Sequence, residues 1–151
     1  MKKKILTLAL IAMMAYHISN NFLQILLVNG QSMYPTYHNF QLVILTKFNS
    51  DYNPNDVIAF KSSGVDATLI KRIVGVPGDY IIIKDGILYV NNSSYFENGV
   101  ILEYAGIAEK LIHLKADEYF VLGDNYQQSI DSRYEEIGCI CKNDILGKVY
   151  P

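Results

Sequence analysis

After residue 22 the chain is written in short runs of branched and aromatic residues, stopped repeatedly by Gly, Pro, Asn, Asp and Ser. That punctuation constrains the fold more than any single residue does. Runs of roughly four to eight residues with turn residues between them suit strands and hairpins and leave little room for helices. Residues 23–28 form one such run, halted by Asn29-Gly30, and residues 41–46 form the next. Asn53-Pro54-Asn55 turns into a third at 56–60, and Ser62-Ser63-Gly64 precedes a fourth that carries Lys71. Pro77-Gly78-Asp79 opens residues 80–84, and residues 87–90 return after Asp85-Gly86. Asp-Gly is hairpin chemistry, because a type I′ turn needs positive φ at both central residues. Residues 118–122 and 137–140 read as two further strands. Between 91 and 115 the pattern is irregular, with a short helix expected over 104–114. The expected fold is all-β and mostly antiparallel, a single domain over 23–151.

Residues 1–22 obey a different rule. Lys2, Lys3 and Lys4 precede an almost wholly apolar stretch, 5–18. A cleavable secretory leader and an uncleaved membrane anchor both start this way. A leader needs small residues in Ala-x-Ala spacing, and Ala12-Met13-Met14-Ala15 has the wrong spacing. As a helix, 5–18 rises roughly 21 Å, and extension to Phe22 brings it to about 27 Å, close to the ~30 Å hydrocarbon layer. The anchor is favoured. One N-terminal transmembrane helix within 1–22 then keeps the lysines cytoplasmic, places 23–151 on the extracytoplasmic side and makes the lipid bilayer a partner.

Beyond those lysines, 10 Lys/Arg face 15 Asp/Glu. An acidic body with no basic stripe argues against nucleic acid. No glycine-rich loop leads from a strand into a helix, so no phosphate cradle is expected. Cys139 and Cys141 lack the second pair a zinc site needs, and read as reduced thiols packed on one face. His17, His38 and His113 are scattered and are read as non-catalytic. No metal and no cofactor are expected.

Chemistry without histidine or metal leaves hydroxyls and amines. Ser32 lies just before the turn residue Pro35, and Lys71 lies mid-strand on the face shared by Leu69 and Ile73. A serine hydroxyl is a weak nucleophile until a neighbouring base takes its proton. A free lysine is neutral in roughly one molecule in 2,500 at pH 7, and bringing its pKa to neutrality costs about 4.6 kcal/mol. Burial shifts lysine by up to about 3–5 units, so desolvation among apolar neighbours suffices. The bland alternatives are a structural turn serine and a lysine that snorkels to water. In Ser129-Ile130-Asp131-Ser132-Arg133, an extended chain would put Ser129, Asp131 and Arg133 on one face. That segment reads either as a loop with a surface ion pair or as support for the lysine.

Three segments closely resemble the signature boxes of bacterial type I signal peptidase. They are Ser32-Met33-Tyr34-Pro35-Thr36, residues 71–79, and Gly123-Asp124-Asn125 with residues 129–133. Residues 55–60 resemble the family's weaker intermediate box, and residues 144–148 its closing segment. The resemblance implies a membrane-bound serine endopeptidase that removes signal peptides from exported preproteins. In that reading Ser32 is the nucleophile and Lys71 the general base. Ser129 orients the lysine, while Asp131 and Arg133 brace the loop. The substrate would add as a β-strand along Leu27, Val28, Asn29 and Gly30 on one side and Ile70 with Lys71 on the other. Gly30 stands where some members carry a serine whose hydroxyl helps hold the oxyanion. Two rivals are a tethered β-domain that binds exported peptides without cutting, and a self-cleaving repressor with the same dyad. The basic-apolar start and the missing DNA-binding half oppose the second.

Overall fold

The computed structural model describes residues 2–48 and 51–151. A helix, α1 (Lys2–Phe22), runs directly into eleven strands. In chain order these are β1 (Leu23–Leu27), β2 (Leu42–Thr46), β3 (Val57–Ser62), β4 (Ala67–Gly75), β5 (Tyr80–Lys84) and β6 (Ile87–Val90). They continue as β7 (Ser93–Ser94), β8 (Ile112–His113), β9 (Glu118–Leu122), β10 (Ile140–Cys141) and β11 (Ile145–Tyr150). Seven strands form one sheet in the order β1-β2-β11-β3-β4-β9-β10, and β7-β6-β5-β8 form a second. The pairings are antiparallel.

The mostly antiparallel β-domain expected from the sequence is what forms, and the Asp85-Gly86 hairpin joins β5 to β6 with positive φ at both residues. Four local expectations need correction. The helix expected over 104–114 is only a 3-10 turn, Gly106–Glu109, followed by β8. Gly106 has φ 54° and lies against the Arg133 carbonyl, so the chain bends there instead of continuing a helix. The strand expected over 137–140 shrinks to β10, because 134–138 is closed by turn bonds from Ile137 and Gly138 N–H to the Tyr134 carbonyl. β11 inserts between β2 and β3, a place no local pattern announces. Finally, Ser129, Asp131 and Arg133 do not share an extended face, because Asp131–Tyr134 is a turn closed by Tyr134 N–H to Asp131 O at 2.9 Å.

β3 shows why the large sheet is the frame. Val57 and Ala59 face one core cluster with Met33, Tyr37 and Val43, while Ile58 and Phe60 face another with Ile73, Tyr119 and Val121. A strand buried on both faces reads as a continuous apolar run, which residues 57–60 are. A third cluster, including Val74, Phe120, Ile81 and Leu88, welds the small sheet to the ends of β4 and β9. β1 and β2 break the pattern on their outer side. Ile25 pairs with Ile44 and Leu27 with Leu42, so these side chains share one face with Leu23, and all are exposed.

Among the described residues no helix is both long and apolar enough to cross a membrane. The His17 side chain lies outside the described residues. His38 packs edge-on against Tyr34 and His113 stacks on Tyr80. Cys139 and Cys141 are free thiols, and Cys139 packs on the third cluster, where burial pushes its pKa up to about 11.

Candidate active site

β1 delivers the chain to a tight turn. Val28 is bound through both backbone groups to the far side of that turn, by its N–H to Gln41 O and its carbonyl to Phe40 N, each 2.8 Å. Within the turn, Tyr34 N–H bonds Gln31 O at 3.1 Å and Tyr37 N–H bonds Met33 O at 2.9 Å. Met33 and Tyr37 are buried in the core, so the turn is anchored on both sides of Pro35 while Ser32 stays half-buried at its rim.

Lys71 arrives from β4, opposite Ile58 of β3. Its residue is only 2% exposed, and its Nζ donates to Ser32 Oγ at 2.7 Å. Thirty-nine residues of sequence separation are closed to hydrogen-bond length. Snorkelling to water, the bland alternative, does not occur. Burial lowers the amine's pKa from 10.5 to about 8, while the carboxylates of Asp131 and Asp124 pull it upward. At pH 7 roughly one amine in ten is then neutral, against fewer than one in a thousand for a free lysine.

Asp131 and Arg133 form a buried ion pair, 0% and 1% exposed, not the surface pair considered above. Arg133 Nε donates to Asp131 Oδ1 at 2.8 Å and Nη2 donates to Oδ2 at 2.9 Å. Nη2 also donates to Tyr126 O at 2.7 Å, and Asp131 Oδ2 accepts from Gly123 N–H at 3.1 Å. Such a pair is held by the bonds that satisfy its remaining donors and acceptors. Ser129 is buried beside it, but its Oγ has no hydrogen-bond partner, so the bond expected between Ser129 and the lysine is absent here. Gly123 explains the crowding. A Cβ there would lie 2.2 Å from Ser129 Oγ and 2.5 Å from Ser32 O. Gly123 thus lets the loop after β9 touch the serine turn, where Asn125 N–H bonds Ser32 O at 3.0 Å. In the sequence it reads only as a turn residue.

A slot of about 150 Å³ opens at the pair. One wall runs from Leu26 to Asn29 and the other from Thr68 to Lys71, with Ser32 and Met33 between them. Leu27, Val28, Asn29 and Ile70, expected from the sequence to hold substrate, lie along it. Gly30, expected there too, lies off the slot, its N–H turned to Asn39 Oδ1 at 2.8 Å. Leu26, Met33, Thr68 and Leu69 line the slot as well, beyond the residues the sequence offered for substrate. A larger bowl, about 830 Å³, lies between residues 103–110 and Tyr134–Glu136 and contains neither Ser32 nor Lys71.

The sequence pattern of the family described as signal peptidase, peptidase S26, matches residues 1–150. The chain belongs to that family. It is similar to signal peptidase I P of Bacillus subtilis subsp. natto, 32% identical over 138 residues, covering 80% of this chain and 71% of the other. Signal peptidase I S of Bacillus subtilis (strain 168) is also 32% identical, over 133 residues, with the same coverages. A solved signal peptidase I from Enterococcus faecalis V583 matches with a TM-score of 0.52 at 28% identity, over 66% of this chain and 97% of that one. As a member of the signal peptidase family, the chain is a serine endopeptidase, a hydrolase of peptide bonds.

Proposed function

We propose that this peptidase is a membrane-anchored enzyme that removes signal peptides from exported preproteins, using Ser32 as nucleophile and Lys71 as base. The observation that carries the reading is the 2.7 Å contact between Ser32 Oγ and a buried Lys71 amine. Neutral Lys71 takes the hydroxyl proton as Oγ attacks the scissile carbonyl. The Ser32 N–H is the first candidate donor to the resulting oxyanion. Collapse breaks the C–N bond, and protonated Lys71 gives its proton to the departing amine. The acyl ester is then hydrolysed by water whose proton passes to the same nitrogen. A docked peptide excludes water from the slot and favours the neutral amine further.

Two free strand edges suit an extended substrate. β9 pairs with β4 only from Arg72 onward, which leaves 67–71 unpaired on that side, and β1 is the outermost strand of the large sheet. The slot lies between these segments, and its small volume suits short side chains such as alanine before the cut. Ser129 would orient Lys71 once substrate rearranges the site, with Asp131 and Arg133 holding the loop.

Anchoring rests on two features. The described residues of α1 do not by themselves make a membrane crossing, but its 21 residues rise roughly 31 Å and carry Lys2–Lys4 at one end, which suits the cytoplasmic surface. The exposed apolar face of β1 and β2 begins where α1 ends, so the catalytic domain would sit on the outer surface of the bilayer. The decisive test is preprotein cleavage by the full chain in detergent. Ser32→Ala and Lys71→Ala should each abolish it, with the cut mapped after a small residue in the unaltered enzyme. Undiminished cleavage by either variant removes the dyad.

A further inference from the structure

Thr36, Arg72 and Asp124 come from three distant parts of the chain and meet at one point. Thr36 lies four residues after Ser32, Arg72 follows Lys71 on β4, and Asp124 opens the loop after β9. Arg72 Nε donates to Asp124 Oδ1 at 2.8 Å and Nη2 donates to Oδ2 at 2.6 Å. Thr36 Oγ1 donates to the same Oδ2 and accepts from Arg72 Nη2 at 3.3 Å. Arg72 Nη1 is also bound, to Asn55 O at 2.8 Å. The hydroxyl, the carboxylate and the guanidinium therefore form a closed triangle.

Each corner is one covalent step from the chemistry or fixed to it. Arg72 is covalently next to Lys71. Asp124 sits between Gly123, which packs on Ser32 O, and Asn125, whose N–H bonds Ser32 O and whose Nδ2 bonds Gln31 O at 3.2 Å. Thr36 lies within the Ser32 turn, inside the loop that Tyr37 N–H to Met33 O closes. Proton transfer needs its heavy atoms within about 2.6–3.2 Å, and the triangle adds a direct tie between the Ser32 turn and the Lys71 strand to the core packing of Met33 and Tyr37.

We propose that Thr36, Arg72 and Asp124 are positioning residues, a latch that fixes the Ser32 turn against the Lys71 strand and sets the local charge at the amine. The inference rests on the dyad reading above. The charged groups facing Lys71 are Asp131, paired with Arg133, and Asp124, paired with Arg72. The Ser32 turn brings no charged side chain between Gln31 and Tyr37, and Ile58 opposite on β3 is apolar. Asp124 pulls on the amine, and Arg72, paired with it, offsets that pull.

The test is preprotein cleavage by the full chain in detergent, with kcat, KM and the pH profile of kcat measured for each variant. Thr36→Val removes the hydroxyl at nearly constant shape. It should lower kcat about tenfold while KM stays within about twofold, and Thr36→Ser should restore the rate. Asp124→Asn should move the acid limb of the profile to lower pH, because the amine loses an attracting charge. Arg72→Gln should move it to higher pH, because Asp124 is left unneutralised. An unchanged kcat in Thr36→Val overturns the latch. So does activity that merely tracks the folded fraction while both charge variants keep the acid limb in place. Activity surviving in Lys71→Ala would sink the dyad instead, a result independent of these three residues.

Discussion

Lys71 brings a proton into a place where water barely reaches; stability depends on that proton, and on the proposed dyad the rate does too. An unfolded lysine titrates near 10.5 and the folded one near 8. Between those values the unfolded chain holds more protons, so stability rises with pH across that window. Below about 8 both states are protonated and the whole penalty remains, about 3 kcal/mol at ~1.36 kcal/mol per unit. Lys71→Met keeps the bulk and removes the charge. It should be inactive yet more stable at pH 7 by about 1–3 kcal/mol, an advantage that fades towards pH 10.5. Thermal unfolding in detergent at several pH values reads this directly, and a variant no more stable than the parent contradicts it. On the proposed dyad the rate has the same origin. Cleavage should fall about tenfold per unit as pH drops below about 8, and a flat profile from pH 9 to pH 5 would exclude a neutral lysine base. The residue types needed for this chemistry were visible in the sequence. The burial of the amine was only partly so, since Leu69 and Ile73 mark its face but not what covers it.

The loop after β9 works as an element because one buried ion pair ties its turns together. Arg133 bonds the Asp131 carboxylate and the carbonyls of Tyr126 and Tyr104, so it staples the loop to the segment before the 3-10 turn. Arg133→Met leaves Asp131 buried without its partner and should cost about 3–5 kcal/mol. Cleavage by the fraction still folded should be reduced but not abolished, because the Arg133 hydrogen bonds go to Asp131, Tyr104, Tyr126 and Ser129 rather than to Ser32 or Lys71. Full stability in denaturant unfolding would show that the pair carries no such role. Elements with dense local signals, such as β5, β6 and β9, were legible within the sequence. β11 was not, because Gly147 reads as a strand breaker, whereas here it lets the strand approach the Thr46 carbonyl closely. The helix expected near residue 104 failed for a similar reason: Gly106 is shaped by Arg133, far along the chain.

For the whole molecule, the apolar face of β1 and β2 is the feature that solvent exposure alone leaves unexplained. Ile25 is 73% exposed in the middle of that face and lies off the slot beside Ser32 and Lys71. If a bilayer covers it, Ile25→Asp should lower preprotein cleavage in vesicles about tenfold, the worth of burying one such side chain. Hydrolysis of a soluble peptide in detergent should be unaffected. Equal losses in both assays would point to damage within the domain. The sequence by itself determined the β-domain, the basic-apolar start and the candidate reactive residues, because hydrophobic periodicity, turn chemistry and short motifs are local properties. Only the tertiary structure decided that Lys71 reaches Ser32, that Ser129 stands without a partner and Gly30 turns away, and that Asp131 and Arg133 are buried. Those outcomes depend on strands and loops far apart in the chain packing together, and no local pattern encodes how closely they meet.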